Sequence, residues 1–141
     1  MDPAALHDFA TSYTAAWCSK NPESVAAHFA ENGSLQINDG TPSVGRAAIT
    51  AAAADFMTSL PDMVVAMDAI SGEGHRAVYR WTLTGTNTGP GGTGNAVTVS
   101  GYEEWTLNGD GLIAESKGHF DAEVYERQIR GDAKAPEPDG L

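Results

Sequence analysis

Apolar side chains recur along this chain in two rhythms. Up to residue 60 they return every three or four positions, the spacing of one helix face; from Met63 onward they return every second position, the spacing of a strand covered on one side. The first helix opens at Asp2-Pro3, a cap residue followed by proline at the first helical position, and carries Leu6, Phe9, Tyr13 and Trp17 as an inner stripe. A second start signal, Asn21-Pro22-Glu23, predicts a helix that buries Val25, Ala26 and Phe29 and closes at Glu31-Asn32-Gly33. The alternation of Leu35 and Ile37 predicts a short edge strand. Beyond the turn Asp39-Gly40-Thr41-Pro42, the stretch from Gly45 to Leu60 places Ile49, Ala52, Ala53, Phe56 and Leu60 on one face and ends at Pro61, a third helix.

Strands are predicted over 63–71, 75–85, 96–107 and 112–120. Their separators are Gly72-Glu73-Gly74, the Gly/Thr-rich segment 85–95 and Asn108-Gly109-Asp110-Gly111, each a hairpin signal. Four hairpin-linked strands make an antiparallel meander whose apolar face needs the preceding helices as cover, so the class is α+β. A last helix, Asp121 to Arg130, starts on an aspartate cap and turns Val124, Tyr125 and Ile129 inward. Residues 1–130 read as one domain, and 131–141, with Pro136, Pro138 and several acids, as a mobile tail.

Charge removes several classes of partner. Among 141 residues, eight Lys and Arg are scattered against nineteen acids, a net charge of -11, which disfavours nucleic acid and anionic lipid. No apolar run approaches the roughly 20 residues that cross a bilayer. The acidic N-terminus lacks the order of a secretory signal, and the expected compartment is the cytoplasm. The single Cys18 excludes a disulfide framework, reads as a small buried residue, and belongs to no zinc-spaced cluster. The loop Gly85 to Asn95 joins two strands with no following helix N-terminus, so it is expected as a flexible flap beside a pocket mouth and not as a phosphate cradle.

The sharpest candidate for chemistry is Glu103. Alternation sets Val99, Gly101, Glu103, Trp105 and Leu107 on one face, where a carboxyl beside an indole is poorly solvated, has a raised pKa and suits proton transfer or a hydrogen bond to a substrate oxygen. Two alternatives stand beside it: Glu104 faces in instead, or Glu103 pairs across strands with Arg80. Tyr13 and Trp17, one turn apart, either edge a pocket or form plain core. His119 alternates with Phe120, so only one of them points inward, and a partly exposed histidine is the plain alternative. His7, His28 and His75 receive no role.

Several segments, in order, resemble the SnoaL-like branch of the superfamily that includes nuclear transport factor 2 and the ketosteroid isomerases. They are Tyr13-Thr14-Ala15-Ala16-Trp17, Asn21-Pro22-Glu23, His28-Phe29-Ala30-Glu31-Asn32-Gly33, Gly45-Arg46-Ala47-Ala48-Ile49, Leu60-Pro61-Asp62, Arg80 through Gly89, and Gly118-His119-Phe120-Asp121 with Arg127-Gln128. The resemblance implies a cone: a bent sheet wrapped around helices, enclosing an apolar pocket, often paired as a homodimer through the sheet. It also implies where catalytic groups would stand. The cyclase aspartate falls on Gly118, with Asp121 matching the second aspartate of that pattern. The isomerase tyrosine and oxyanion carboxyl fall on Tyr13 and Glu103, while the base falls on Ile37, with Asn38 and Asp39 beside it. The epoxide hydrolase arginine falls on Arg80, but its acids fall on Thr82 and Gly118. The expectation is a domain binding a small, apolar, carbonyl-bearing molecule, an isomerase or cyclase with Glu103 as acid and base and Tyr13 as oxyanion donor. Trp17 and Arg80 would orient the ligand, with Phe56, Trp105, His119 and Asp121 among its contacts and no metal or organic cofactor. The alternative is a non-catalytic binding or dimeric assembly module, favoured by Gly118 and Ile37.

Overall fold

The computed structural model describes residues 2–131. In chain order its elements are α1 (Pro3–Cys18), α2 (Pro22–Ala26), β1 (Phe29–Ile37), β2 (Ser43–Val44), α3 (Arg46–Ser59), β3 (Val64–Glu73), β4 (Arg76–Thr86), β5 (Ala96–Leu107), β6 (Ile113–Phe120) and α4 (Ala122–Arg130). The Asp2 carboxylate accepts the Ala5 N–H at 2.8 Å and so satisfies one of the free donors of the first turn of α1. Asn21 and Asp121 cap α2 and α4 in the same way. Of the tail expected over 131–141, only Gly131 lies within the described residues, where it closes α4 in the left-handed conformation at φ 89°.

The strands form one open sheet in the order β2-β1-β6-β5-β4-β3. From β3 to β6 the neighbours are antiparallel, the meander that the hairpin signals predict. Two expectations fail upstream of it. The helix expected to run to residue 33 ends after Ala26, and Phe29 opens a strand instead. That strand is not an edge: β1 lies between the two-residue β2 and β6, parallel to the latter, with Leu35 opposite Ser116 and Ile37 opposite Gly118. Tertiary contacts override the local helical signal here. The Arg46 guanidinium donates two hydrogen bonds to the Phe29 carbonyl, at 3.0 and 2.9 Å, and the Ile113 N–H donates to the His28 carbonyl at 3.0 Å. Gly33 comes so close to β6 that an added Cβ would stand 2.7 Å from the Ile113 carbonyl oxygen.

The core lies between the helices and the covered sheet face. Tyr79 and Trp105 stack at 5.1 Å between ring centroids, and Tyr13 stands edge-on to both at 5.3 and 5.2 Å. Around them pack Leu6, Ala10, Val25, Phe29, Ile49, Ala53 and Leu60, all buried. On α4 the inward set is Tyr125 and Ile129, half-buried; Val124, also expected inward, is exposed. The loop expected as a free flap is tied at both sides: Asn87 donates to the Ser59 carbonyl at 3.0 Å, and Asn95 donates to the Ile129 carbonyl at 2.9 Å. No helix among the described residues is long and apolar enough to cross a membrane.

Gly101 in β5 marks where this packing leaves no slack. A Cβ there would meet the His119 carbonyl oxygen at 2.3 Å and Trp81 Cζ2 at 2.6 Å, whereas one at Gly109 would meet nothing within 4 Å. Gly101→Ala should therefore cost about 1–3 kcal/mol in urea unfolding. Gly109→Ala should change stability by no more than about 0.5 kcal/mol. Equal effects of the two substitutions would refute the close approach at Gly101.

Candidate functional site

Period-2 alternation in β5 carries Glu103 to the covered face, where it is 7% exposed. A carboxyl group taken out of water has to find hydrogen bonds or lose its charge. Here one oxygen collects three: Oε1 accepts from the Tyr13 hydroxyl at 2.9 Å, the Trp105 indole Nε1–H at 2.9 Å and the Ser116 hydroxyl at 2.8 Å. The donors come from α1, from two residues further along β5 and, on β6, from Ser116, which faces Trp105 in the ladder. None of them is a cation. Oε2 has no hydrogen-bond partner among the described residues, and Glu103 lines a cavity walled by Trp17, Leu35, Ile37, Phe56, Val65, Tyr79, Trp81, Leu83, Val99, Phe120 and Tyr125. The space open to the centres of water-sized spheres is about 60 Å³, enough for a few waters or a small organic molecule.

Burial raises the Glu103 pKa above the ordinary carboxylate value of 4.5, and the three hydrogen bonds, which favour the charged form, offset only part of that. The Tyr13 phenol is held well above its ordinary value by burial first and by the neighbouring Glu103 second, so it stays a donor. Three donors fill the acceptor capacity of Oε1, and a proton taken up by Glu103 therefore resides on Oε2, the oxygen of this cavity-lining residue that no other group engages among the described residues. In one state the cavity meets an unpaired carboxylate oxygen. In the other it meets an acidic O–H.

The sequence reading placed Glu103, Trp17 and Phe56 at this cavity, and they are there. Tyr13 and Trp105 are not in its wall. Both stand behind Glu103 and act on it, so the hydroxyl expected to face a substrate oxygen is already spent on the carboxyl. Arg80, His119 and Asp121 are placed differently again. Alternation in β4 turns Ala77, Tyr79, Trp81 and Leu83 inward and Arg80 outward, where its guanidinium lies 5.2 Å from the Tyr102 ring centroid. His119 stacks on the other side of the sheet against Tyr102 at 4.7 Å and bonds Glu104 at 2.9 Å. Asp121 caps α4, and all three border a shallow depression on the outer face together with Asp39. Glu104 thus faces out, Glu103 does not pair with Arg80, and no register shift brings Asp39 inward. For Arg80 the resemblance implies a ligand contact against the face that strand period assigns it; His119 takes the outward alternative that its alternation with Phe120 leaves open, and Asp121 lies beyond the strand as the cap of α4.

Ile37 and Gly118, where the resemblance implies acids, are both in the cavity wall. Gly118 faces Glu103 across the β5–β6 ladder, and a Cβ on it would lie 3.7 Å from Glu103 Cγ. The carboxyl of Glu103 therefore occupies the neighbourhood that a side chain at 118 would enter. Reasoning from sequence missed Ser116 and Trp81. Period 2 through Gly118 and Phe120 also brings Ser116 inward, and the same count through Leu83 and Tyr79 brings Trp81. The indole Nε1–H of Trp81 is buried and has no hydrogen-bond partner among the described residues. Leaving a donor so costs about 1–3 kcal/mol. No group of three or more His, Cys, Asp or Glu is placed to hold a metal ion among the described residues.

A family model described as "SnoaL-like domain" matches residues 10–116. Solved structures share the fold. TsrD from Streptomyces laurentii superposes with a TM-score of 0.79 at 22% identity, covering 92% of this chain and 97% of its own. A protein of ketosteroid isomerase-like fold from Catenulispora acidiphila, solved with trimethylamine, gives 0.77 at 18% identity, with 87% and 92% covered. A protein from Jannaschia sp. CCS1 assigned as a SnoaL-like polyketide cyclase gives 0.74 at 18% identity, with 92% and 96% covered. A comparison with curated proteins yields no significant match.

The buried acid makes stability depend on pH with a definite sign. Because the Glu103 pKa is raised on folding, the folded protein keeps a proton that the unfolded chain has lost, and stability falls as pH climbs from 4.5 through the raised value, by at most about 1.4 kcal/mol per pH unit. Glu103→Gln removes this term. Its stability relative to the parent protein should be lowest near pH 4.5, rise with pH and level off once Glu103 has ionised, as read by urea unfolding from pH 4 to 9. A difference independent of pH would mean that Glu103 is not buried with a raised pKa.

Proposed function

We propose, from the premise that this chain belongs to the SnoaL-like domain family, that its cavity binds a small, largely apolar, carbonyl-bearing molecule and that Glu103 moves a proton next to the carbonyl. The observation that carries this reading is the division of labour within one carboxyl group: Oε1 is saturated by three neutral donors and Oε2 is left for the ligand. As a carboxylate, Oε2 removes the proton from the carbon beside the ketone. As an acid, it returns that proton to another carbon, which is isomerisation, or, once the enolate has attacked a carbonyl within the same molecule, gives it to the alkoxide oxygen so formed, which is cyclisation. A carboxyl whose pKa is raised above the ordinary carboxylate value by burial is a stronger base in its charged form and still an acid in its protonated one. Tyr13, Ser116 and Trp105 are positioning residues for this step. They fix the carboxyl plane and decide which oxygen carries the proton, without touching substrate.

A second reading is supported by a specific observation. The wall carries Ile37 and Gly118 where relatives implied by the resemblance hold acids, so a single carboxyl must serve as both acid and base. On this reading the same cavity binds its ligand without turning it over, as a binding or assembly module.

Exchange of the protons next to the carbonyl of cyclohexanone in D₂O, followed by NMR, separates the two. Proton transfer predicts exchange above the buffer rate, reduced about 10²–10⁴-fold in Glu103→Gln with binding retained. Binding with no exchange in the parent protein would leave the module reading. Ser116→Ala removes a hydrogen bond that lowers the Glu103 pKa, so the pH profile of exchange should move to higher pH in that variant. A shift to lower pH, or none, would show that Ser116 does not tune the acid.

A further inference from the structure

The proton transfer just described lacks one component. A carbonyl oxygen gains negative charge as the neighbouring carbon loses its proton, and it needs a hydrogen-bond donor where that charge develops. Tyr13 cannot supply it from behind Glu103, and Arg80 is on the far face of the sheet. The wall of the cavity contains another candidate. Trp81 lies opposite Gly101 in the β4–β5 ladder, with its ring spread over the space that a side chain at 101 would take and its edge against Phe120 at 5.9 Å between centroids. It lines the same cavity as Glu103. Its N–H has no acceptor, in contrast to that of Trp105, which bonds Glu103 at 2.9 Å. Protein interiors seldom leave such a donor alone, and a role in catalysis is one of the reasons for which they do.

We infer that the Trp81 indole N–H is the donor to the ligand's carbonyl oxygen, and that the cavity selects ketones by offering this donor and the free oxygen of Glu103 to adjacent atoms of one molecule. The inference rests on the cavity being the ligand site. The substrate class it defines is a compact ketone with an acidic C–H next to the carbonyl and an apolar remainder, since the rest of the wall presents almost no polar surface for a further oxygen. Gly101 belongs to the same device: it clears the space in which the indole lies.

The three tryptophans give three indole N–H signals in a ¹⁵N-labelled sample, with Trp105, held by Glu103, as internal control. Titration with cyclohexanone should move the Trp81 signal downfield and leave that of Trp105 in place, while methylenecyclohexane, which has the same shape without the oxygen, should not move Trp81 downfield. Trp81→Phe keeps an aromatic six-membered ring and removes the N–H together with the five-membered half of the indole. It should lose a preference for the ketone over the hydrocarbon of about tenfold and slow the exchange reaction, with the pH midpoint of exchange unchanged. Equal responses of the Trp81 signal to both probes, or an unaltered ketone preference in the Phe variant, would overturn the inference while leaving the Glu103 reading intact. A ketone-specific shift in a protein that shows no exchange would uphold Trp81 as the carbonyl donor and overturn proton transfer instead. The signal titration uses the parent protein, so it decides the matter even if Trp81→Phe does not fold.

Discussion

A carboxyl group enclosed by aromatic and aliphatic side chains, with no cation within hydrogen-bond reach, is the constraint around which the rest of this molecule is arranged. Charge in such a place is tolerated only as far as neutral dipoles can replace water. Three of them converge on one oxygen of Glu103 from three separate elements. Their convergence requires α1 to lie across the sheet at a definite height, and it requires β5 and β6 to pair in a register that sets Gly118 against Glu103 and Ser116 against Trp105. The aromatic cluster of Tyr13, Tyr79 and Trp105 holds that geometry rigid. Stability, protonation and the chemistry of the cavity are thus set by the same few contacts.

Much of this architecture is legible along the chain because the meander is local. Glycine-marked hairpins join neighbours in sequence, and the period of two then decides which side chains meet the helices. Glu103 was identifiable on that ground alone, as were Trp17 and Phe56 from helical spacing. Applied with equal strictness, the same period would have turned Arg80 outward with Tyr102 and His119 and turned Trp81 and Ser116 inward. At Arg80 the resemblance points inward where the period points outward, because a family correspondence specifies a place in a pattern more reliably than a direction.

What sequence could not show depends on contacts between distant segments. Residues 29–33 have the composition of a helix end, yet they open a strand because β6 and Arg46 supply partners that no nearby residue announces. Tyr13 was legible as an inward-facing phenol, but whether it edges the cavity or stands behind the carboxyl turns on a separation of a few ångströms between elements ninety residues apart in the chain. The empty hydrogen-bond position of Trp81 is likewise a property of packing, invisible in any spacing of residue types.

The parallel seam between β1 and β6 also governs the order in which the protein can be assembled. Until residues 113–120 have left the ribosome, β1 and β5 have no neighbour between them, and the surface around Glu103 lies open to water. Long-range strand pairing of this kind is slow compared with hairpin closure. The wall of the cavity is therefore the last part of the molecule to close, once β6 has brought Gly118 and Phe120 to it and α4 has added Tyr125.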